Sequence, residues 1–264
     1  MKLNSFPIGI FDSGIGGTSI WKEIKTLLPN ENFIYLSDSK NAPYGEKSKQ
    51  KILDLSIKNT EFLLQQNCKI IVVACNTATT NCIKILREKY AVPFIGIEPA
   101  IKQAALKTTT NNIGILATKG TLNSDLFEKT YSKLAKEITT TETIGKGLVA
   151  LIENGKINSC EMKKLLSSYI VPMIKKQVDC LVLGCTHYPY LIPQIREIVG
   201  NKIQIIDSGE AVAKQTKAIL EKHQLLNSKP NIGTHQFYIN KSKKVLEMLI
   251  SNTDAFVEID ERDF

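Results

Sequence analysis

Short β-branched runs alternate with helical segments along most of this 264-residue chain, and partway through the alternation starts over. No other feature restricts the fold as much. PIGIF (7–11), FIYLS (33–37), KIIVVA (69–74) and PFIGI (93–97) read as buried strands, being short apolar runs bounded by turn residues. Between them Ile20, Trp21, Ile24, Leu27 and Leu28 keep helical spacing and stop at Pro29-Asn30. A longer helical pattern over 48–66 carries Ile52, Leu55, Phe62 and Leu63, and a third helix over 78–90 ends ahead of Pro93. Strands alternating with helices imply right-handed crossovers and a mainly parallel sheet.

The second pass resembles the first. NIGILATKGTLNSDLF (112–127) matches PIGIFDSGIGGTSIW (7–21) in plan: a strand, a small-residue turn, a helix. CLVLGCTHYP (180–189) matches IIVVACNTAT (70–79), each an apolar strand closing on a cysteine. Gly9 to Gly114 is 105 residues and Cys75 to Cys185 is 110, a nearly constant offset that points to an internal duplication. A further strand, QIID (204–207), leads through Ser208-Gly209 into a helix ending near Lys222. The tail adds an expected edge strand, HQFYI (235–239), and a last helix over 242–250. The sequence thus predicts an α/β fold of two similar, mainly parallel domains related by a pseudo-two-fold axis. The first would comprise 1–97 plus 208–264 and the second 98–207, with the active site in the cleft between them.

In open α/β sheets ligands bind beyond the carboxyl ends of the strands. Five polar clusters fall there: Asp12-Ser13-Gly14, Pro43-Tyr44-Gly45, Cys75-Asn76-Thr77, Thr118 with Thr121, and Cys185-Thr186-His187. Free cysteines are commonly inert core residues, which is the reading given to Cys68, Cys82, Cys160 and Cys180. Cys75 and Cys185 differ. They hold equivalent places in the two repeats, each at a strand end expected to open a helix, where the positive helix end favours a thiolate. Asn76, Thr77 and Thr186 beside them are donors suited to a carboxylate.

Two thiols facing each other across one carbon fit a single reaction class, inversion of a stereocentre by removing a proton from one face and returning one to the other. Each sulfur would then stand about 3–3.5 Å from that carbon, and the two sulfurs about 6–7 Å apart. An ordinary thiol, with a pKa of about 8.5, is mostly protonated at neutral pH. A helper is therefore needed on each side: Asp12 for Cys75, and His187, two residues along, for Cys185.

Competing chemistries fit less well. Gly14-Ile15-Gly16 after a strand, with Asp38 ending the next, resembles a dinucleotide site, but Ser19 replaces the third glycine and Asp12 would repel a pyrophosphate. C-x-H is a weak metal signal, and a Cys-His hydrolase leaves the second paired cysteine without a role. No apolar run reaches the ~18 residues of a membrane span. The start lacks a signal-peptide pattern, so the expected compartment is the cytoplasm, with reduced thiols. The formal charge of +8 suits anionic ligands, yet the lysines form no dense block, which argues against nucleic acid as the main partner.

FDSGIGGTSI (11–20), NAPYGEKS (41–48), ACNTAT (74–79), TKGTLNS (118–124) and LGCTHYPYL (183–191) resemble, in order, the motifs of glutamate racemases. The resemblance implies a reaction free of pyridoxal phosphate, flavin or metal that supplies D-glutamate for peptidoglycan. It implies that Cys75 and Cys185 are the catalytic thiols, Cys185 acting on L-glutamate and Cys75 on D-glutamate, with Asp12 and His187 assisting. Ser13, Pro43, Tyr44, Gly45, Asn76, Thr77, Thr118, Thr121 and Thr186 match substrate-holding positions, and Glu153, in LIENG, matches another acidic site residue. A homodimer is expected. Few residues precede the first strand, so the control by a cell-wall nucleotide precursor seen in members with a longer N-terminal extension is not expected. Two alternatives are a racemase of another acidic amino acid such as aspartate, and a racemase-fold protein acting mainly by binding and inhibiting DNA gyrase. The intact cysteines and helpers argue for an enzyme.

Overall fold

The computed structural model of the chain describes residues 3–134, 138–227 and 232–264. The first half runs β1 (Ile8–Asp12), α1 (Thr18–Leu27), β2 (Phe33–Ser37), α2 (Lys49–Gln65), β3 (Ile70–Val73), α3 (Asn76–Lys89), β4 (Phe94–Gly96) and α4 (Ile101–Lys107). The second continues with β5 (Asn112–Ala117), α5 (Lys119–Leu122), α6 (Asp125–Ser132), β6 (Thr139–Ile144), α7 (Leu148–Glu153), α8 (Cys160–Lys175), β7 (Cys180–Gly184), α9 (Ile192–Val199) and β8 (Gln204–Ile206). Then follow α10 (Gly209–Lys222), β9 (His235–Ile239), α11 (Lys244–Ile250) and β10 (Val257–Glu261).

Two parallel sheets result, ordered β10-β9-β2-β1-β3-β4 and β6-β5-β7-β8. Matching strands by repeat, β2-β1-β3-β4 and β6-β5-β7-β8 have the same order, so one winding is used twice. The chain's last two strands extend the first sheet. HQFYI is interior rather than an edge: β9 pairs with β2 on one side and with β10 on the other. The edge is β10, and it is polar and half-exposed, as suits a strand with one free side.

Period-two alternation divides the strand side chains between layers. Ile113, Ile115 and Val182 pack one way, towards α4 and α6. Leu116, Leu181 and Leu183 turn the other way, into a core shared with Ile8, Ile10, Ile70 and Val72 of the first sheet. The halves are therefore joined by one continuous apolar core, which fixes the strand ends of one sheet relative to those of the other. Burying a side chain of this size contributes about 1.5–3 kcal/mol. Trp21, fully buried, anchors α1 and donates its indole N–H to His235 Nδ1 on β9 at 3.2 Å. Among the described residues no helix is long and apolar enough to cross a membrane.

Candidate active site

The carboxyl ends of the two sheets meet around one small cavity. Ser13, Pro43, Tyr44, Gly45, Cys75, Asn76, Thr77, Thr118, Cys185, Thr186 and His187 line it, together with Val149. All but Val149 are legible as strand-end residues in the sequence; Val149 arrives on α7, where its apolar character gave no sign of a site. The cavity volume is about 10 Å³, roughly the room one water molecule requires.

Both thiols are free, buried and exposed to this cavity. Cys75 caps α3, its sulfur accepting the Ala78 N–H at 3.4 Å and lying 3.6 Å from Ser13 Oγ. The expected thiolate does not follow. Burial, and after it the Asp12 carboxylate, push the Cys75 thiol well above its ordinary value, and the Ala78 and Ser13 contacts recover only part of that. One helix terminus does not offset the desolvation of a buried anion. Cys185 follows β7 directly but opens a turn and a short 3₁₀ segment, Tyr188–Leu191, before α9, so it caps no α-helix.

The helpers are arranged differently on the two sides. His187 places Nδ1 3.8 Å from the Cys185 sulfur and Nε2 2.6 Å from Glu153 Oε1. Burial alone would lower its pKa; the hydrogen bonds to Cys185 and Glu153 outweigh it and hold His187 well above its ordinary value. Glu153 is fixed in turn, accepting the Ile15 N–H at 2.7 Å on Oε1 and the Ser39 hydroxyl at 2.7 Å on Oε2. Burial would raise this carboxyl, but its hydrogen bond to His187, the His187 charge, Ser39 and Ile15 bring it below the ordinary value. Glu153 is thus not in the cavity wall with the substrate-holding residues but behind it, Oε1 bonded to His187 and Oε2 held by Ser39. Second partners of this kind set the direction and basicity of an imidazole.

Asp12 does not touch Cys75. Its Oδ1 accepts from Ser13 Oγ at 3.2 Å, and Ser13 is what meets the thiol. Its Oδ2 accepts the Gly17 N–H at 2.7 Å and the Thr186 hydroxyl at 3.4 Å. Burial raises Asp12 to about 6, against the opposing pull of the His187 charge and the backbone N–H groups of Gly17 and Ser13. Asp12, Ser13 and Cys75 form a chain along which a proton can pass.

The glycine turn after β1 serves this machinery rather than a phosphate. A Cβ on Gly14 would lie 2.0 Å from Glu153 Oε1, and one on Gly16 2.2 Å from His187 Nδ1. Asp38, the residue a dinucleotide reading would assign to a ribose, instead accepts from Tyr44, from Asn41 at 2.8 Å and from Asn240 at 2.6 Å. It holds the Pro43-Tyr44-Gly45 wall against the tail strand. Thr121 is fully buried, its hydroxyl bonded to those of Thr118 at 3.0 Å and Thr77 at 3.3 Å. It braces the two threonines that do reach the cavity.

One wall residue is conspicuously unmet. Asn76 is 3% exposed, yet neither its Nδ2 nor its Oδ1 has a hydrogen-bond partner among the described residues. A buried unpaired amide group costs about 1–3 kcal/mol, so a ligand bearing both an acceptor and a donor gains most by binding there. Among the described residues, no three His, Cys, Asp or Glu side chains are grouped so as to hold a metal ion.

The family model for Asp/Glu/Hydantoin racemases matches residues 15–216. A glutamate racemase from Cupriavidus pinatubonensis is 41% identical over 248 residues, 94% of this chain and 91% of the relative. Among solved structures, the glutamate racemase of Escherichia coli in complex with L-glutamate and the activator UDP-MurNAc-ala superposes with a TM-score of 0.85 at 29% identity, covering 97% of this chain and 98% of that one. That of Francisella tularensis in complex with D-glutamate gives 0.84 at 29% identity, covering 98% of each chain.

Proposed function

The chain belongs to the Asp/Glu/Hydantoin racemase family and interconverts L- and D-glutamate, and from that premise we propose that the interconversion is a proton exchange at Cα between Cys75 and Cys185. The observation that carries this reading is that two unbonded thiols, at equivalent strand ends of two identically wound sheets, line one small cavity. In the L-to-D direction the Cys185 sulfur, as thiolate, takes the Cα proton while the Cys75 S–H delivers its own to the opposite face. The Cα–H bond breaks at one sulfur as a new one forms from the other, leaving Cys185 as thiol and Cys75 as thiolate. The reverse reaction exchanges the roles.

The surroundings suit the two states. With both ring nitrogens protonated, His187 offers Nδ1–H to the Cys185 sulfur, the donor a thiolate accepts, and Glu153 holds the imidazolium. On the other side, Asp12, raised to about 6 and so more basic than an ordinary carboxylate, can take the Cys75 proton through Ser13. The Asn76 amide, with Thr77, Thr118 and Thr186, supplies partners for an amino group and carboxylates. The D-glutamate formed would serve cytoplasmic peptidoglycan synthesis.

The test is to incubate purified protein with L-glutamate in D₂O. D-glutamate carrying α-deuterium should accumulate, and Cys75→Ser or Cys185→Ser should each abolish it while leaving the circular-dichroism spectrum of the fold intact. Racemisation persisting in either variant sinks the two-thiol scheme.

A further inference from the structure

Beside this small cavity lies a second, larger one of about 700 Å³ that shares Pro43, Gly45, Thr118 and Val149 with it. It adjoins the site along these four residues. Its composition departs from that of the chain. Four of its seventeen lining residues are lysines and one is acidic, whereas the whole chain has 34 basic to 26 acidic residues. Lys49 is engaged by Asp125 at 3.3 Å. Lys47, Lys119 and Lys146 have no ion-pair partner within 4.0 Å among the described residues. They come from three separate segments, after β2, β5 and β6, and converge on one mouth.

Unpaired cations from three segments around a single concavity focus a positive field on its interior. The inner cavity has room for about one water, so its walls must part to admit a ligand the size of glutamate. We propose that Lys47, Lys119 and Lys146 form an outer subsite for carboxylate anions, where glutamate is captured before it passes between Gly45 and Thr118 to the thiols. This deepens the racemase reading and rests on it for the identity of the ligand. Solvated lysines on a basic protein would raise the anion concentration only through net charge. A subsite acts through position, and the two are separable.

The experiment compares wild type, the rim variant K47Q/K119Q/K146Q and the control K102Q/K175Q/K222Q, which removes the same charge from exposed sites elsewhere. kcat and KM are measured for both enantiomers from about 10 to about 300 mM salt, over which the screening length shrinks from about 30 Å to about 6 Å. Each rim cation should contribute up to about twofold at low ionic strength. The rim variant should therefore lose about fivefold to tenfold in kcat/KM at low salt, through KM, with kcat unchanged and little remaining salt dependence. The control should keep the wild-type salt slope. Calorimetric titration with L-glutamate reads the same dependence without turnover. Salt-dependent binding that needs the rim lysines, in a protein that does not racemise glutamate, would uphold the subsite and overturn the racemase reading. Rim and control variants with the same KM and salt slope would overturn the subsite.

Discussion

Replacing Gly16 by alanine should disable the His187 side of the site without touching any reacting group. The new Cβ would lie 2.2 Å from His187 Nδ1 and 2.5 Å from Cγ, where ordinary contact begins at 3.4 Å. The ring has to retreat by about 1.2 Å, the difference of those distances. It is buried and pinned through Nε2 to a Glu153 that is itself held by two further donors, so it cannot yield freely. Overpacking of this kind costs about 1–3 kcal/mol, or a fall in Tm of roughly 2–12 °C for a chain of this size, leaving the protein folded at room temperature. A misplacement of about 1 Å costs about 100-fold in rate, and the displaced atom is the one facing the Cys185 sulfur. Far-UV circular dichroism of the protein on heating reads the Tm, and the loss of optical signal from a single glutamate enantiomer reads the turnover. Because the enantiomers have equal free energy in water, kcat/KM must fall equally in the two directions, and the side affected appears only in isotope effects. With Cys185 abstracting from L-glutamate, the primary effect should grow for α-deuterated L-glutamate and shrink for the D form. A folded variant with kcat within twofold of wild type, or with equal isotope effects on both enantiomers, would refute the argument.

Ser13→Ala should remove the link between Asp12 and Cys75 and produce the opposite isotope bias, larger with α-deuterated D-glutamate, with kcat reduced about 10–100-fold; an unbiased loss would mean that Ser13 shapes the pocket only. Asp12 holds its proton to about pH 6 in the fold but to about 3.8 in the unfolded chain, so the folded state binds more protons between these values and stability falls as pH rises through that window, by about 3 kcal/mol. Asp12→Asn should therefore raise Tm at pH 7 while slowing turnover and abolishing the acid limb of kcat/KM near pH 6; a Tm that falls at pH 7 would refute the assignment.

The interior strands were legible because β1, β3, β5 and β7 are buried on both faces and so are apolar apart from Asp12 and Asn112 at their ends. β6 and β10 were not, since TTTETI and VEIDE are half-exposed edges held by backbone pairing that any side chain permits. The thiol pair was legible because duplication printed the same strand end twice. The duties of Glu153 and Ser13 were not. Glu153 meets Ile15 across 138 residues of sequence, and Ser13 stands between two residues that the sequence reading paired directly. Gly14 and Gly16 looked like a phosphate loop because close backbone approach requires glycine whatever the neighbour is; here the neighbours are Glu153 and His187.

Glu153 also decides how the two halves can part. Its carboxylate rises from α7 of the second sheet's half and grips Ile15 and Ser39 of the first, in bonds that water cannot replace without flooding the core. At the opposite margin the halves touch through Asn81 on the Gly120 carbonyl at 3.2 Å and through the Thr77 and Thr118 hydroxyls at 2.8 Å, part-buried contacts that water can take over at little cost. The molecule is thus a book with a stiff spine at Glu153 and loose page edges at Gly45 and Gly120. On the proposed route between Gly45 and Thr118, substrate and product pass at the page edges, where only part-buried contacts must break, while the imidazole stays bound into the spine through Glu153.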